Sequence, residues 1–247
     1  MKTKRNLLAS MLITALLLTS TGIAQEKEKN TYGMAEITYM MPKIGSEKAF
    51  VNGVKAHNER YHKDGPNKAY LDNILTGDET GWFVWVMGPC TFTDLDSRPG
   101  EGAHTDDWNK NVTPHVHKYG RTEYWKYNDK LSNVSNDTPP KYEELWVIDL
   151  KRGDYYRFNA LMSNIKAAYA KKGGNIKVYN NQFPTDDGRE VVIVWDYSSW
   201  ADFDDEGRGI KKDFEEVNGE GSWDDMLEEW NEITDNIKRQ VWEHDVK

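Results

Sequence analysis

Hydrophobic and polar residues of this 247-residue chain alternate with two periods, one typical of strands and one typical of helices. From residue 36 to 127 these patterns predict the order strand, helix, strand, strand, helix, strand. A polar stretch with Pro139-Pro140 predicts a linker over residues 129–141. The same order of patterns then recurs from residue 142 to the end of the chain.

Turn and capping residues place the boundaries of these elements. The first half is predicted to contain strands at 36–41, 68–75, 82–87 and 122–127, with helices that begin after Ser46 and at Thr105. The second half is predicted to contain strands at 144–150, 175–181, 190–195 and 241–245, with helices at 155–171 and after Ser222, where Asp225 completes a capping box. Polar loops are predicted at 94–102 in the first half and at 202–221 in the second. Pro114 should kink the second helix, and Gly120 should end it.

The chain matches itself when it is shifted by 108 positions. Glu36 then falls on Glu144, and the match continues without a gap to Asp96 on Asp204, with 14 identical pairs in 61 positions. Ordinary composition would give roughly four identical pairs by chance. The pattern therefore indicates an internal duplication whose copies are small domains.

The first residues have the pattern of a secretory signal peptide. Lys2, Lys4 and Arg5 precede an apolar run at 7–18, and Gly22-Ile23-Ala24 offers small residues for cleavage after Ala24. The sequence therefore predicts a signal peptide at 1–24, a flexible lead-in at 25–34, and an exported protein, periplasmic or secreted. No later stretch has the length and hydropathy of a membrane span.

Charge and cysteine content narrow the classes of partner. Beyond residue 24 the chain carries 29 Lys and Arg against 41 Asp and Glu, a net charge of −12. Phosphate backbones and anionic lipids repel such a chain, which disfavours binding to nucleic acids or membrane surfaces. Cys90 is the only cysteine, so the chain cannot form an intramolecular disulfide.

A βαββαβ unit with two helices on one sheet face is the ferredoxin-like arrangement. Two such units in one chain resemble the dimeric α+β barrel superfamily over residues 35–247. This superfamily includes antibiotic-biosynthesis-type monooxygenases, haem-degrading monooxygenases and chlorite-dismutase-like haem proteins. The resemblance implies an α+β fold in which repeats at 35–128 and 142–247 form a barrel within one chain.

The common catalytic and metal-binding motifs are missing. The sequence has no Gly-rich phosphate loop, no Cys/His zinc pattern, no GxSxG elbow and no His-Glu-x-x-His. Motifs alone therefore predict no dedicated metal site.

Two histidines stand out because the second half has isoleucine in their place. His57 aligns with Ile165 on the first helix, and a short match on the second helix puts His115 opposite Ile237. A buried histidine needs a partner, so such a replacement costs stability unless a function compensates for it. The alternative is an ordinary core histidine bonded to a carbonyl or to a tyrosine such as Tyr61.

The other histidines give weaker signals. His117 would point away from His115 on a helix, and the two could chelate one metal only if the turn unwound at Pro114. His62 and His104 are expected to be exposed, and His244 lies in the last strand without a supporting pattern.

The resemblance implies more specific roles for some of these residues. Haem-binding members use a histidine of the second helix as axial ligand, which by location would be His115, with His117 as the fallback. His57 would then be a catalytic acid or base, and Tyr61, Trp85 and Trp108 would line the ligand cavity. Haem is accordingly the cofactor that the resemblance suggests.

Three hypotheses for function follow. The first is a non-catalytic or ligand-binding protein whose aromatic inner faces enclose a small apolar molecule. The second is a haem- or metal-dependent monooxygenase-like enzyme that uses His115 and His57. The third is a structural protein that binds a basic partner through its acidic surface. The sequence leaves the ligand and the oligomeric state open.

Overall fold

In a computed structural model of the protein, eight antiparallel strands form a closed barrel. The structure describes residues 32–135, 138–185, 188–204 and 209–246. The predicted signal peptide at 1–24 and most of the predicted lead-in lie outside the described residues.

Each half of the described chain contributes four strands to the barrel and helices to its outside. The strands are β1 (Met34–Pro42), β2 (Ala69–Ile74), β3 (Phe83–Cys90), β4 (Val116–Tyr127), β5 (Tyr142–Leu150), β6 (Lys177–Asn181), β7 (Val191–Tyr197) and β8 (Thr234–Glu243). The helices are α1 (Glu47–Tyr61), α2 (Phe92–Leu95), α3 (Ala103–Asn111), α4 (Tyr155–Lys172), α5 (Lys211–Asn218) and α6 (Ser222–Ile233).

The strand order around the barrel is β1-β3-β2-β8-β5-β7-β6-β4. Each half is thus a four-stranded sheet in which the first and third strands are central. The halves meet at two short seams. One seam pairs β4 with β6 from Trp125↔Asn181 to Tyr127↔Tyr179, and the other pairs β2 with β8 at Asn73↔Glu243 and Ile74↔Trp242.

Both faces of each sheet are apolar, because strand residues alternate between the barrel interior and the helices. The interior holds valines, leucine, isoleucines and aromatic rings of both halves, including Ile37, Val86, Val147 and Val194. Outside, α1 packs on the first sheet through Phe50, and α4 packs on the second. The cavities between helix and sheet therefore lie outside the barrel, one in each half.

The predicted order of elements is confirmed in both halves. Four elements of the second half begin 108 positions after their counterparts: β5 after β1, α4 after α1, β6 after β2 and β7 after β3. The second half also contains α5, where a loop over 202–221 was expected.

The second helix of the first half differs from its prediction. α3 ends at Asn111, and Pro114 lies beyond it in a 3₁₀ turn, Thr113–His115. Proline has no N–H and clashes with the preceding turn, so the helix stops before Pro114 instead of kinking at it. Gly120 does not end the helix either. It lies within β4, where a Cβ would come within 2.8 Å of the Trp82 ring.

The third strand is longer than predicted. The sequence placed its end before Gly88-Pro89, but β3 continues through both residues to Cys90. The polar loop expected after it begins with α2, where Thr91 and Asp94 form a capping box. The capping box predicted at Ser222 is not formed, since the Ser222 hydroxyl donates to the carbonyl of Gly219.

Of the predicted linker at 129–141, residues 129–135 pack against the second half. Leu131 and Ser132 are buried, and the Ser132 hydroxyl accepts a hydrogen bond from the Val178 amide. Both halves belong to one compact unit, Thr31–Lys247. None of the described helices combines the length and the hydropathy that crossing a membrane requires.

Gly53 sets the distance between α1 and α3. A Cβ at this position would lie 2.2 Å from the Asn111 carbonyl oxygen at the end of α3. We expect Gly53→Ala to lower the free energy of unfolding by about 1–3 kcal/mol, because backbone atoms would have to move apart. Urea denaturation checks this value. Gly100→Ala, with 3.9 Å of space, is the matched control, and equal effects of the two substitutions would contradict the explanation.

Candidate metal centre

Three histidines converge between α1, α3 and the outer face of the first sheet. His57 lies on the inner side of α1, His62 follows the last residue of that helix, and His104 is the second residue of α3. His57 and His62 are buried, and His104 is half-buried. Asp107 lies three residues after His104 and therefore on the same side of α3.

The imidazole nitrogens point toward one another. Nε2 of His104 lies 3.1 Å from Nε2 of His57 and 3.0 Å from Nε2 of His62. The ligand atoms of the three rings all lie within 4.8 Å of one another. Two ligands of one zinc ion at 2.0–2.1 Å are roughly 3.4 Å apart in tetrahedral geometry. The three nitrogens are thus spaced like the ligands of a single ion.

Hydrogen bonds on the far side of two rings settle which nitrogens carry protons. Nδ1 of His57 lies 2.9 Å from a carboxylate oxygen of Asp107, and Nδ1 of His62 lies 2.8 Å from the Asn67 carbonyl. Both acceptors need an N–H, so in the neutral rings the lone pairs are at Nε2. His104 can donate one proton to only one of them, and its own Nδ1 is buried without a hydrogen bond. The protein groups therefore leave a lone pair of this cluster unsatisfied, which a cation would satisfy.

Asp107 is held in place by neighbours of its own. One carboxylate oxygen accepts hydrogen bonds from Arg60 at 2.7 Å and from Asn111 at 2.9 Å, and the other contacts His57. Its side chain is 9% exposed. A carboxylate that orients a histidine in this way is the usual partner of a metal-bound imidazole.

Burial keeps the three imidazoles neutral. Burial, together with the neighbouring histidines, lowers the pKa of His62 to about 4, against the effect of the Asn67 carbonyl. Burial also lowers the pKa of His57 and of His104, although Asp107 acts in the opposite direction on both. Neutral imidazole is the form that binds metals.

These pKa values predict how the stability of the metal-free protein depends on pH. The unfolded chain takes up a proton at His62 near pH 6.5, whereas the folded chain does so only near pH 4. Between these values the unfolded state binds more protons, so the free energy of unfolding should fall as the pH is lowered from about 6.5 to 4. Urea denaturation in the presence of a chelator measures this slope. His62→Gln should flatten it, and an unchanged slope in that variant would contradict the assignment.

The cluster opens onto a cavity of about 320 Å³. Aromatic rings surround it. The ring centroids of Trp108 and His57 are 4.9 Å apart, and those of Trp85 and His62 are 5.2 Å apart. Trp85 donates to the Asn58 side chain and Trp108 to the Tyr119 hydroxyl, so both indole N–H groups are satisfied. The wall opposite the histidines includes the ion pair of Arg98 with Glu36.

The second half has a cavity at the equivalent place, with a different chemistry. Its volume is about 550 Å³. Residues 108 positions apart line the two cavities: Glu36 and Glu144, Thr38 and Trp146, His57 and Ile165, Trp85 and Ile193, Met87 and Trp195. The described lining of the second cavity contains no histidine. One half thus presents nitrogen donors where the other presents aromatic and aliphatic surface.

The structure brings together several of the residues that the sequence singled out. His57, Trp85 and Trp108 line the first cavity, and the Tyr61 ring contacts His57 and His104. His115 and His117 are not among the lining residues. His115 lies in the 3₁₀ turn after α3, and His117 is exposed on β4.

The match of His115 with Ile237 was wrong. In the second half, Ile237 pairs with Ile148 of β5. The residue 108 positions before Ile148 is Met40, and Met40 pairs with Tyr119. The counterpart of Ile237 is therefore Tyr119 and not His115. The alignment of Trp108 with Trp230 does not extend to β4 and β8, because α3 and α6 differ in length.

Sequence reasoning placed His62 and His104 on the surface, and this was wrong. His62 ends α1 and turns inward toward Asn67, and α3 begins two residues earlier than predicted, at Ala103, which turns His104 toward α1. A usable signal was present in the spacing His104-x-x-Asp107, which puts a carboxylate one turn from an imidazole. It was hidden by the misplaced start of the helix.

The three histidines fit a single ion better than a haem. Haem iron accepts protein ligands at its two axial positions only. At least one of these three nitrogens, which lie within 4.8 Å of one another, would therefore have no iron to bind. The larger cavity of the second half offers no histidine among its described lining residues.

Comparison with known proteins identifies the fold. No protein-family model matches the sequence, and no curated protein is significantly similar to it. A candidate monooxygenase from Lactobacillus acidophilus superposes with a TM-score of 0.57 at 12% identity, over 87% of this chain and 95% of that one. A candidate monooxygenase from Fusobacterium nucleatum gives 0.55 at 11% identity, over 88% and 94%. A chlorite dismutase variant from Candidatus Nitrospira defluvii gives 0.51 at 11% identity, over 87% and 92%. The chain therefore has the α+β fold of the dimeric α+β barrel proteins, with both four-stranded sheets in one polypeptide.

Proposed function

We propose that this chain is a metal-dependent, monooxygenase-like enzyme whose centre is one first-row transition-metal ion held by His57, His62 and His104. The observation that carries the proposal is the convergence of three Nε2 atoms with at most one N–H among them, which leaves a lone pair for a cation. The monooxygenase-like fold neighbours support the enzyme class by analogy of fold alone.

The donor set defines the chemistry that the ion can supply. Imidazole suits zinc, copper, iron and nickel. Three neutral ligands leave the full charge of a divalent ion in place, and three protein ligands are the number that catalytic sites use when they keep a position open. An ion so held supplies Lewis-acid or redox chemistry to a molecule in the cavity.

The remaining residues of the cavity position a substrate and limit its contact with water. Trp85 and Trp108 offer aromatic faces beside the histidines, and Tyr119 at the mouth of the cavity holds the Trp108 indole. Arg98 and Glu36 form a charged boundary on the sheet side. This arrangement suits a substrate with a flat apolar body and one polar group directed at the ion.

Metal loading followed by oxygen uptake tests the proposal. The protein is stripped with a chelator and titrated with Zn²⁺, Cu²⁺ and, without oxygen, Fe²⁺, and binding is followed by calorimetry and elemental analysis. We expect one equivalent at the histidines, and oxygen consumption by the iron- or copper-loaded protein with a panel of flat phenols. Each phenol would be oxidised to a quinone, so that the phenol itself supplies the two electrons that reduce the second oxygen atom to water. A protein that binds none of these ions would refute the metal centre. A loaded protein that consumes no oxygen with any phenol would argue against the monooxygenase-like class.

Asp107 should act on metal affinity through His57. Without the carboxylate, the His57 ring loses the hydrogen bond that fixes its tautomer and orientation. We expect Asp107→Ala to weaken metal binding by about 10- to 100-fold, as measured by competition with a chromophoric chelator. Asp106→Ala, one residue away on the exposed side of α3, is the matched control and should bind as the wild type does. Equal affinities in the two variants would remove Asp107 from the site.

The second cavity favours a second function, the binding of an apolar aromatic molecule. The indole N–H groups of Trp146 and Trp195 already donate to Glu144 and Tyr169, so a ligand need not satisfy them and can contact the rings alone. Arg239 covers one face of the Trp146 ring, at 4.0 Å from its centroid. A titration with 1-naphthol tests this function by tryptophan fluorescence. We expect saturable quenching that Trp146→Ala abolishes, and quenching unchanged in that variant would reject it.

Two further expectations remain proposals. Four elements of the second half begin 108 positions after their counterparts in the first half, which supports an internal duplication as the origin of both halves. The pattern of residues 1–24 supports export. Amino-terminal sequencing of protein isolated from the periplasm or the culture medium would test export, and Gln25 is the expected first residue.

A further inference from the structure

We infer that the protein binds a second divalent cation at the seam between β2 and β8, through Asp72, Glu143 and His244. This site is separate from the three-histidine centre and does not depend on the proposed function. The three residues come from β2, from β5 and from the position directly after β8. Their ligand atoms all lie within 4.8 Å of one another.

The geometry of His244 favours a shared ion over a simple ion pair. Its Nδ1 lies 3.2 Å from Oδ1 of Asp72, yet this nitrogen is buried without a hydrogen bond of acceptable direction. Adjacent ligands of an ion at 2.0–2.2 Å are separated by about 3 Å when their bonds meet near a right angle. The pair is thus spaced as two ligands of one cation, and Oδ1 of Asp72 also accepts the Asp245 amide at 2.9 Å.

The local charge leaves room for a divalent ion. The carboxylates of Asp72 and Glu143 are 2% and 15% exposed. Lys177 lies 3.2 Å from Glu143 and 2.7 Å from Asp196, and among the described lysines it is the one in contact with this group. Burial raises the pKa of both carboxylates, and Asp72 raises the pKa of His244, so this group holds protons in the absence of an ion. A divalent cation would take the place of these protons, whereas buried charges without a partner are costly.

At this position the ion would stabilise the contact between the two halves of the chain. β2 and β8 share only two residue pairs, Asn73↔Glu243 and Ile74↔Trp242. Asp72 belongs to the first half of the chain, and Glu143 and His244 belong to the second. An ion bound by all three would therefore hold the two halves together where their backbone pairing is shortest. One nitrogen and two carboxylate donors suit Mn²⁺ or Zn²⁺.

The test uses full-length protein in which His57→Ala and His104→Ala remove the first centre. After treatment with a chelator, this variant is titrated with Mn²⁺ and followed by calorimetry, electron paramagnetic resonance and thermal unfolding. We expect one equivalent to bind, and the unfolding midpoint to rise by roughly 5–10 °C at 100 times the dissociation constant. Adding Asp72→Asn should abolish both effects.

His244→Gln, near the end of the chain, is the milder variant if Asp72→Asn does not fold, and it should lower the affinity at least 10-fold. The inference is overturned if the double-histidine variant binds no Mn²⁺, or if either substitution at the seam leaves binding unchanged. The difference between wild type and the double-histidine variant reports on the first centre alone, so the two sites can fail separately.

Discussion

His104→Ala should abolish tight metal binding while leaving the fold intact. The substitution removes the nitrogen that lies 3.0 and 3.1 Å from the other two, so no ion can be held by three imidazoles. We expect metal affinity to fall by more than about 100-fold, beyond the effect of losing an outer hydrogen-bond partner. His104 is only half-buried, so its truncation leaves a small cavity at most.

The metal-free variant should be as stable as the wild type, or slightly more stable. The wild type packs the Nε2 atoms of three neutral rings together and leaves Nδ1 of His104 without a partner, and both features cost free energy without an ion. Calorimetric titration and urea denaturation of one preparation measure both quantities. His115→Ala, outside the cluster, serves as the control. A His104→Ala protein that keeps wild-type affinity would show that the three histidines are not the centre.

Glu123→Ala should destabilise the protein by about 3–5 kcal/mol, since it leaves a buried guanidinium without its counter-ion. Arg189 donates to both carboxylate oxygens of Glu123, at 2.6 and 2.9 Å, and to the Tyr39 hydroxyl at 2.8 Å. The Arg189 and Glu123 side chains are only 6% and 8% exposed. The Trp125 indole would also lose its acceptor, because it donates to Glu123.

Urea denaturation compares this loss of stability with the loss caused by breaking an ion pair on the surface. Lys63 and Glu59 lie 2.6 Å apart with side chains 60% and 68% exposed. Glu59→Ala should cost less than about 1 kcal/mol. The double substitution Glu123→Leu with Arg189→Met should recover most of the stability, because it removes both charges together. Equal losses for Glu123→Ala and Glu59→Ala would show that Arg189 is solvated despite its position.

The architecture was predictable from the sequence because it depends on local patterns. The apolar residues of β1 and β3 and the helical spacing of Phe50, Val54 and His57 are properties of neighbouring residues, and the structure keeps all of them. The replacement of His57 by Ile165 in the second half also pointed to the cavity that the three histidines border.

The composition of the centre was not predictable, because it depends on how two helices end and begin. His62 is the first residue after α1, so the direction that the chain takes at the end of the helix decides whether its side chain faces water or the interior. Whether His104 joins it is decided by where α3 starts, and its first turn has no side-chain cap to mark it. His115 and His117, which the sequence favoured, lie instead in the 3₁₀ turn after α3 and in β4.

The two short seams of the barrel have a kinetic consequence. Trp125 and Asn181 pair across a modest length of chain, whereas Asn73 and Glu243 are separated by most of the protein. Closing the longer loop costs more chain entropy for fewer hydrogen bonds. Folding should therefore join β4 to β6 before β2 meets β8, and native-state opening should begin at the β2–β8 seam. The amides of Leu75 and Val246, which bond to Val241 and Leu71 across this seam, should then exchange with solvent before those of the barrel's central strands.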